Sequence, residues 1–236
     1  MYKNADELYQ SLKGQFKKDK LDKYEVLTAR LILRYANLQG MNDTQVIELK
    51  KYLKGSRSNP DLFVPNDKQM TDALNKMTPQ HRILYSLFLV SGIRKSEGEH
   101  LLENFKTLRI QHLRGFVKIN LDSFRKTKNA YVCYLPEWLF YFIQQNINEL
   151  STDGLDSFIK RHNLIPVKYA RKWFYTKCIE LGVPESIADF YEGRISGSIG
   201  SNHYLGKQSL ADKFYGEILL QQFEMLKNST TKEVLL

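Results

Sequence analysis

The chain has few of the residues that most cofactor and metal chemistries require. Of its 236 residues only two are cysteine and five are histidine. Cys133 and Cys178 cannot build a disulfide framework or a cysteine-rich zinc site. Their flanks, Tyr-Val-Cys-Tyr and Thr-Lys-Cys-Ile, read as buried small hydrophobes, so a reducing cytosol is the expected setting. The histidines are scattered, and no Gly-Lys-Ser/Thr phosphate loop occurs, so neither a metal nor a nucleotide cofactor is expected. A long apolar run is missing as well. The best one, Ile83 to Val90, is interrupted by Tyr85 and Ser86 and is too short to cross a bilayer. The N-terminal Met-Tyr-Lys-Asn-Ala-Asp-Glu has no apolar signal-peptide core, and a soluble cytoplasmic protein is expected. Internal repeats and low-complexity tracts are also missing.

What the chain does have is positive charge. Lys and Arg number 35 against 26 Asp and Glu, for a formal net charge of +9, while apolar residues make up 42%. The apolar share supports a buried core and excludes wholesale disorder. The excess of cations, spread along the chain, suits a polyanionic partner, with nucleic acid ahead of an anionic membrane.

Periodicity divides the sequence into a mostly helical framework. From about Asp6 to Tyr52, Leu8, Leu12 and Phe16 recur at helical spacing, and Leu27, Leu31, Leu33 and Tyr35 continue the apolar pattern. Asn42-Asp43 reads as the cap of a helix running to about Leu53. The best linker is Gly55-Ser56-Arg57-Ser58-Asn59-Pro60, which predicts a small basic helical module over 1–59 and a larger domain over 60–236. In the larger domain helices are expected over 67–74, 80–90 and from Arg94, and again over 137–147, 167–181, 184–191 and 210–226. Phe116 to Leu121 and Tyr131 to Leu135 read as a β-hairpin whose turn carries Arg125, Lys126 and Lys128. The predicted fold is therefore mainly α with a small antiparallel β-sheet, an α+β domain preceded by a small basic helical module.

Three separated segments carry the chemistry. They are Ser91-Gly92-Ile93-Arg94-x-Ser96-Glu97, Lys168-x-x-Arg171, and Gly193-Arg194 followed ten residues later by Tyr204. Breaking a DNA phosphodiester without a metal needs a nucleophile, cations for the phosphoryl oxygens and a proton for the departing 5′-oxygen. Arginine suits the second task, because its planar fork grips two phosphate oxygens and keeps its charge. Glu97, one helical turn after Arg94, is placed to brace it. Lys168 and Arg171 share one helix face. Gly193 to His203, rich in Gly, Ser and Asn, reads as a loop leading to Tyr204. A tyrosine hydroxyl titrates near ~10, so it needs positive surroundings to act as a nucleophile.

In that order the segments resemble the boxes of the tyrosine recombinases, most closely the integrases of archaeal fusellovirus-type viruses and their plasmid relatives. The likeness spans about Met70 to Lys227. It implies a site-specific recombinase that cleaves and rejoins DNA through a 3′-phosphotyrosine without metal or ATP. Arg94 and Arg171 would clamp the scissile phosphate, Lys168 and Arg194 would hydrogen-bond it, and Tyr204 would attack. The family's hairpin lysine, the general acid, is best matched by Lys126, with Lys128 the alternative. Double-stranded attachment-site DNA and a homo-tetramer assembled on it are the implied partners. Histidine is usual where Lys168 stands, and histidine or tryptophan where Arg194 stands, which leaves open what accepts the proton of Tyr204. Two other readings share the scaffold: a DNA-binding protein with lapsed catalysis, and a relaxing enzyme like the type IB topoisomerases.

Overall fold

A computed structural model describes residues 5–18, 21–53, 61–121, 130–194 and 201–231. The chain divides into two compact units, Met1–Leu62 and Phe63–Leu236.

The first unit holds helices α1 (Ala5–Lys18), α2 (Lys23–Leu38) and α3 (Asp43–Lys50). Each turn between them is fixed by a cap. The Asp22 carboxylate accepts from the amides of Tyr24 and Glu25, and Glu25 accepts from the Asp22 amide at 2.6 Å. Asn42 and Gln45 repeat the arrangement at the start of α3. Leu12, Phe16, Val26, Ala29, Leu33, Ala36, Val46 and Leu49 form the core. Part of the expected apolar pattern points the other way. Leu33 is buried, but Leu27, Leu31 and Tyr35 are exposed, because the inner face of α2 is the Val26-Ala29-Leu33-Ala36 stripe. Tyr24 and Leu38 extend the outer stripe to both ends of the helix.

The second unit is built around α5 (Pro79–Ser91), where Arg82 to Ser91 are all buried. Thr78 caps its start, Pro79 occupies its first turn, and Gly92 ends it in the left-handed region at φ 65°. Buried Arg82 donates to the carbonyls of Leu74 and Met77, closing the end of α4 (Asp67–Asn75). Helix α6 (Lys95–Glu103) leads into three antiparallel strands in the order β1-β2-β3: β1 (Ile110–Leu113), β2 (Phe116–Asn120) and β3 (Val132–Pro136). The β2–β3 register pairs Lys118 with Tyr134. The strands expected over 116–121 and 131–135 are therefore present, and β1 is added at the edge. Its Ile110, Gln111 and His112 are exposed, so backbone pairing alone defines it and no hydrophobic pattern announces it.

After the sheet come α7 (Glu137–Asn146), α8 (Leu155–Arg161), α9 (Val167–Glu180) and α10 (Glu185–Tyr191). Then α11 (Ser201–Phe214) runs through a π-helical turn (Tyr215–Leu219) into α12 (Leu220–Thr231). The last helix was expected from Leu210, with Gly193 to His203 as a loop; instead α11 already begins at Ser201. Composition is a weak prior against a helix whose later turns, at Ala211 and Tyr215, are anchored in the core. The π turn lets the Tyr215 hydroxyl donate to the carbonyls of Val90 and Tyr134, tying α5 to β3. The fold is mainly helical with one small antiparallel sheet.

Candidate active site

The first arginine is positioned by a glycine. Gly92 turns the chain in a conformation that side chains rarely adopt, and an added Cβ would stand 2.3 Å from the Phe174 ring. The chain emerges with Arg94 as the N-cap of α6. Fully buried Glu97 then holds it twice: the Arg94 amide donates to Oε2 at 2.6 Å and Nη1 donates to Oε1 at 2.7 Å. A third donor, the Ala130 amide, reaches Oε1 at 3.0 Å, so the same carboxylate fixes the approach to β3. The pair is thus no exposed ion pair on a helix surface; burial and three donors make it a structural brace.

Arg171 projects from α9, between the buried Ala170 and Trp173. Its Nη2 donates to the carbonyl of Glu192 at 2.5 Å and to Oε2 of the same residue at 3.2 Å. Glu192 closes α10 and is fully buried. Beyond it, exposed Arg194 places Nε 2.5 Å from the same Oε2 and lays its guanidinium over the Tyr175 ring at 4.7 Å. One carboxylate oxygen therefore bridges two arginines from different segments. Two buried atoms in this group have no hydrogen-bond partner, Nη1 of Arg171 and Oε1 of Glu192.

The charges are felt across the group. Burial lowers the Arg171 pKa from its ordinary value, Glu192 opposes this, and Arg94 adds a further lowering. Burial raises that of Glu192, against the pull of Arg171, Arg194 and Arg94. Burial, with Asp189 and Glu185, pushes the Tyr175 hydroxyl up to about 12. Tyr191, more deeply buried, is held well above the ordinary tyrosine value.

These three arginines come from the N-cap of α6, the second turn of α9 and the end of α10, places far apart in sequence. A model of the archaeal phage integrase family matches residues 62–221. The chain belongs to that family. No curated protein matches it. Integrases of this family act on DNA in integration and recombination, which accounts for the excess of cations.

The candidate catalytic positions expected from the sequence fall inside the matched range. Glu192 joins Arg171 to Arg194, while Arg94, paired with Glu97, is near enough to act through its charge on both Arg171 and Glu192. Lys168 lies one turn before Arg171 on α9, with Nζ 4.4 Å from the centre of the Tyr169 ring. Tyr204 lies in the first turn of α11. Lys126 and Lys128 lie outside the described residues. No described helix is long and apolar enough to cross a membrane.

Two features escaped the sequence reading. One is Glu192, directly before Gly193-Arg194, whose only signal was an acidic residue closing an otherwise apolar Ile-Ala-Asp-Phe-Tyr segment. The other is a polar link between sheet and helix. Asp212 on α11 accepts from Lys118 on β2 and from the Tyr134 hydroxyl on β3, both at 2.7 Å. Such a link depends on residues 78 to 94 positions apart, and no local pattern encodes it.

Proposed function

We propose that this integrase is a tyrosine-type site-specific recombinase of the fusellovirus kind, cutting and rejoining DNA through a covalent 3′-phosphotyrosine. The observation that carries the reading is the convergence of Arg94, Arg171 and Arg194, each held by a buried carboxylate, in a chain whose next helix carries Tyr204.

In this scheme the arginines bind the non-bridging oxygens of the scissile phosphate and offset the charge that grows there. The Tyr204 hydroxyl gives up its proton to solvent, its oxygen attacks phosphorus, the bond to the 5′-oxygen breaks, and Lys126 or Lys128 delivers the proton that the 5′-oxygen takes up. Lys168 adds a cation beside the phosphate. The phosphotyrosine conserves the energy of the broken phosphodiester, so rejoining is the reverse attack by a 5′-hydroxyl and calls for neither metal nor ATP. Tyr175 and Tyr191, the described tyrosines nearest the clamp with shifted hydroxyls, are poor nucleophiles because both shifts are upward, and this favours Tyr204.

Residues 1–59 serve in this reading as a second DNA-binding module. A tetramer on two duplexes is supported by the outer face of α2, where Tyr24, Leu27, Leu31, Tyr35 and Leu38 form an exposed apolar stripe on a cationic protein. The test is a nicked duplex carrying candidate attachment-site DNA, incubated with wild type and with Tyr204→Phe and run on a denaturing gel. A covalent adduct from wild type alone is expected. Adduct from both would assign the attack to another tyrosine, and none from either, on DNA that binds, would leave a DNA-binding protein.

A further inference from the structure

Burial works against a charge on Glu192. It sits at the C-terminal end of α10, where the helix dipole disfavours an anion, and it is fully buried. One of its two carboxylate oxygens has no hydrogen-bond partner. The residue nevertheless brings a charge into contact with the two arginines that the cleavage reading needs, which come from α9 and from the segment after α10 and repel each other.

We propose that Glu192 is a positioning residue for phosphate binding: its charged carboxylate, bonded through one oxygen to both Arg171 and Arg194, fixes the spacing of the two guanidinia. The proposal rests on the reading of the site as a phosphodiester-cleaving pocket. The geometry is specific. Arg171 gives Nη2 to the Glu192 carbonyl and Oε2, and its Nη1 is buried without a hydrogen-bond partner. Arg194 gives Nε to the same Oε2, with Nη1 4.0 Å from Asp189 Oδ1. Glu192 therefore fixes one edge of each guanidinium through a single oxygen. Glu97 does the same for Arg94 from α6, so that each of the three arginines has a buried acidic anchor.

Charge, not volume, is the property at issue, and the isosteric Glu192→Gln separates them. Burial raises the pKa of Glu192, so the charged form is held at a cost to folding at neutral pH. The glutamine variant removes that cost but leaves the buried Arg171 guanidinium without its counter-charge, so it is expected to melt a few degrees below wild type and to stay folded at the assay temperature. Its duplex affinity, set by many phosphate contacts, is expected within about two-fold of wild type. Its single-turnover rate of adduct formation on the nicked duplex is expected to fall at least ten-fold, because small displacements of positioning groups cost about a hundred-fold. The wild-type rate is also expected to fall on the acid side as Glu192 takes up a proton, at a higher pH than an ordinary glutamate would, and the glutamine variant to lack that limb. The groups acting on Glu192 are Arg171 and Cys178 from α9, Arg194 just after α10 and Arg94 from the start of α6, while Asp189 faces Arg194 and Glu97 faces Arg94. The arginines keep their charge throughout this range, and burial holds the Cys178 thiol neutral.

A rate within two-fold of wild type would overturn the proposal. So would a rate loss matched by equally weaker duplex binding, or by unfolding at the assay temperature, which marks a purely structural residue. Glu192→Asp gives a second handle that keeps the charge. It is expected to be faster than the glutamine variant, with the acid limb moved to lower pH, and an unmoved limb counts against Glu192. If wild type binds the duplex and forms no adduct, the cleavage reading itself fails and this role falls with it. A normal wild-type adduct with an equally active glutamine variant leaves the cleavage reading standing and removes Glu192 alone.

Discussion

Replacing Asp212 by alanine should loosen the helix that carries Tyr204 from the sheet it rests on. The Lys118 side chain is 11% exposed and the Asp212 side chain 28%. In the variant, the Lys118 ammonium stays largely buried without its counter-charge, and the Tyr134 hydroxyl loses its acceptor as well. Stripping one partner from a fully buried ion pair costs about 3–5 kcal/mol. Water reaches this pair through the exposed edge of Asp212, which reduces that figure, while the lost Tyr134 hydrogen bond adds about 1 kcal/mol. The expected net loss is about 2–3 kcal/mol, which for a unit of this size lowers the melting temperature by about 5–10 °C. Thermal unfolding of the full chain, followed through the transition of the larger unit, measures it. Lys118→Met in the same background removes the stranded cation and should recover part of the loss. A drop below about 1 kcal/mol, or a double variant no more stable than Asp212→Ala, would refute the reasoning.

Gly92→Ala should lower stability by about 2–4 kcal/mol in denaturant titration, combining the left-handed backbone penalty with the overlap on the Phe174 ring. If Phe174 could yield, only the backbone penalty of about 1–2 kcal/mol would remain, and a smaller loss would refute the backbone argument as well. Leu31→Asp, at the centre of the outer stripe of α2 where the residue is 66% exposed, should leave the fold within ~0.5 kcal/mol of wild type. It should also weaken self-association on DNA in sedimentation velocity runs, and unchanged assembly would remove α2 from the tetramer contact.

The sequence alone determined which parts of this protein would be helical, because caps, periodicity and glycine stops are local signals. Asn42, Thr78-Pro79 and Gly92 each mark a boundary that the structure carries. It also supplied the family likeness, since widely spaced Arg94, Lys168-x-x-Arg171 and Arg194 keep their order along the chain whatever the fold does. Local signals failed where an element is defined by what lies across from it. Edge strand β1 owes its form to β2, the start of α11 to anchors further along the same helix, and the exposure of Leu27, Leu31 and Tyr35 to the choice of inner face on α2. Only the tertiary structure could join Arg171 to Arg194 through Glu192, or Lys118 and Tyr134 to Asp212. Those contacts are set by burial and charge between distant segments, and a buried carboxylate becomes meaningful only when the cations that it holds are seen beside it.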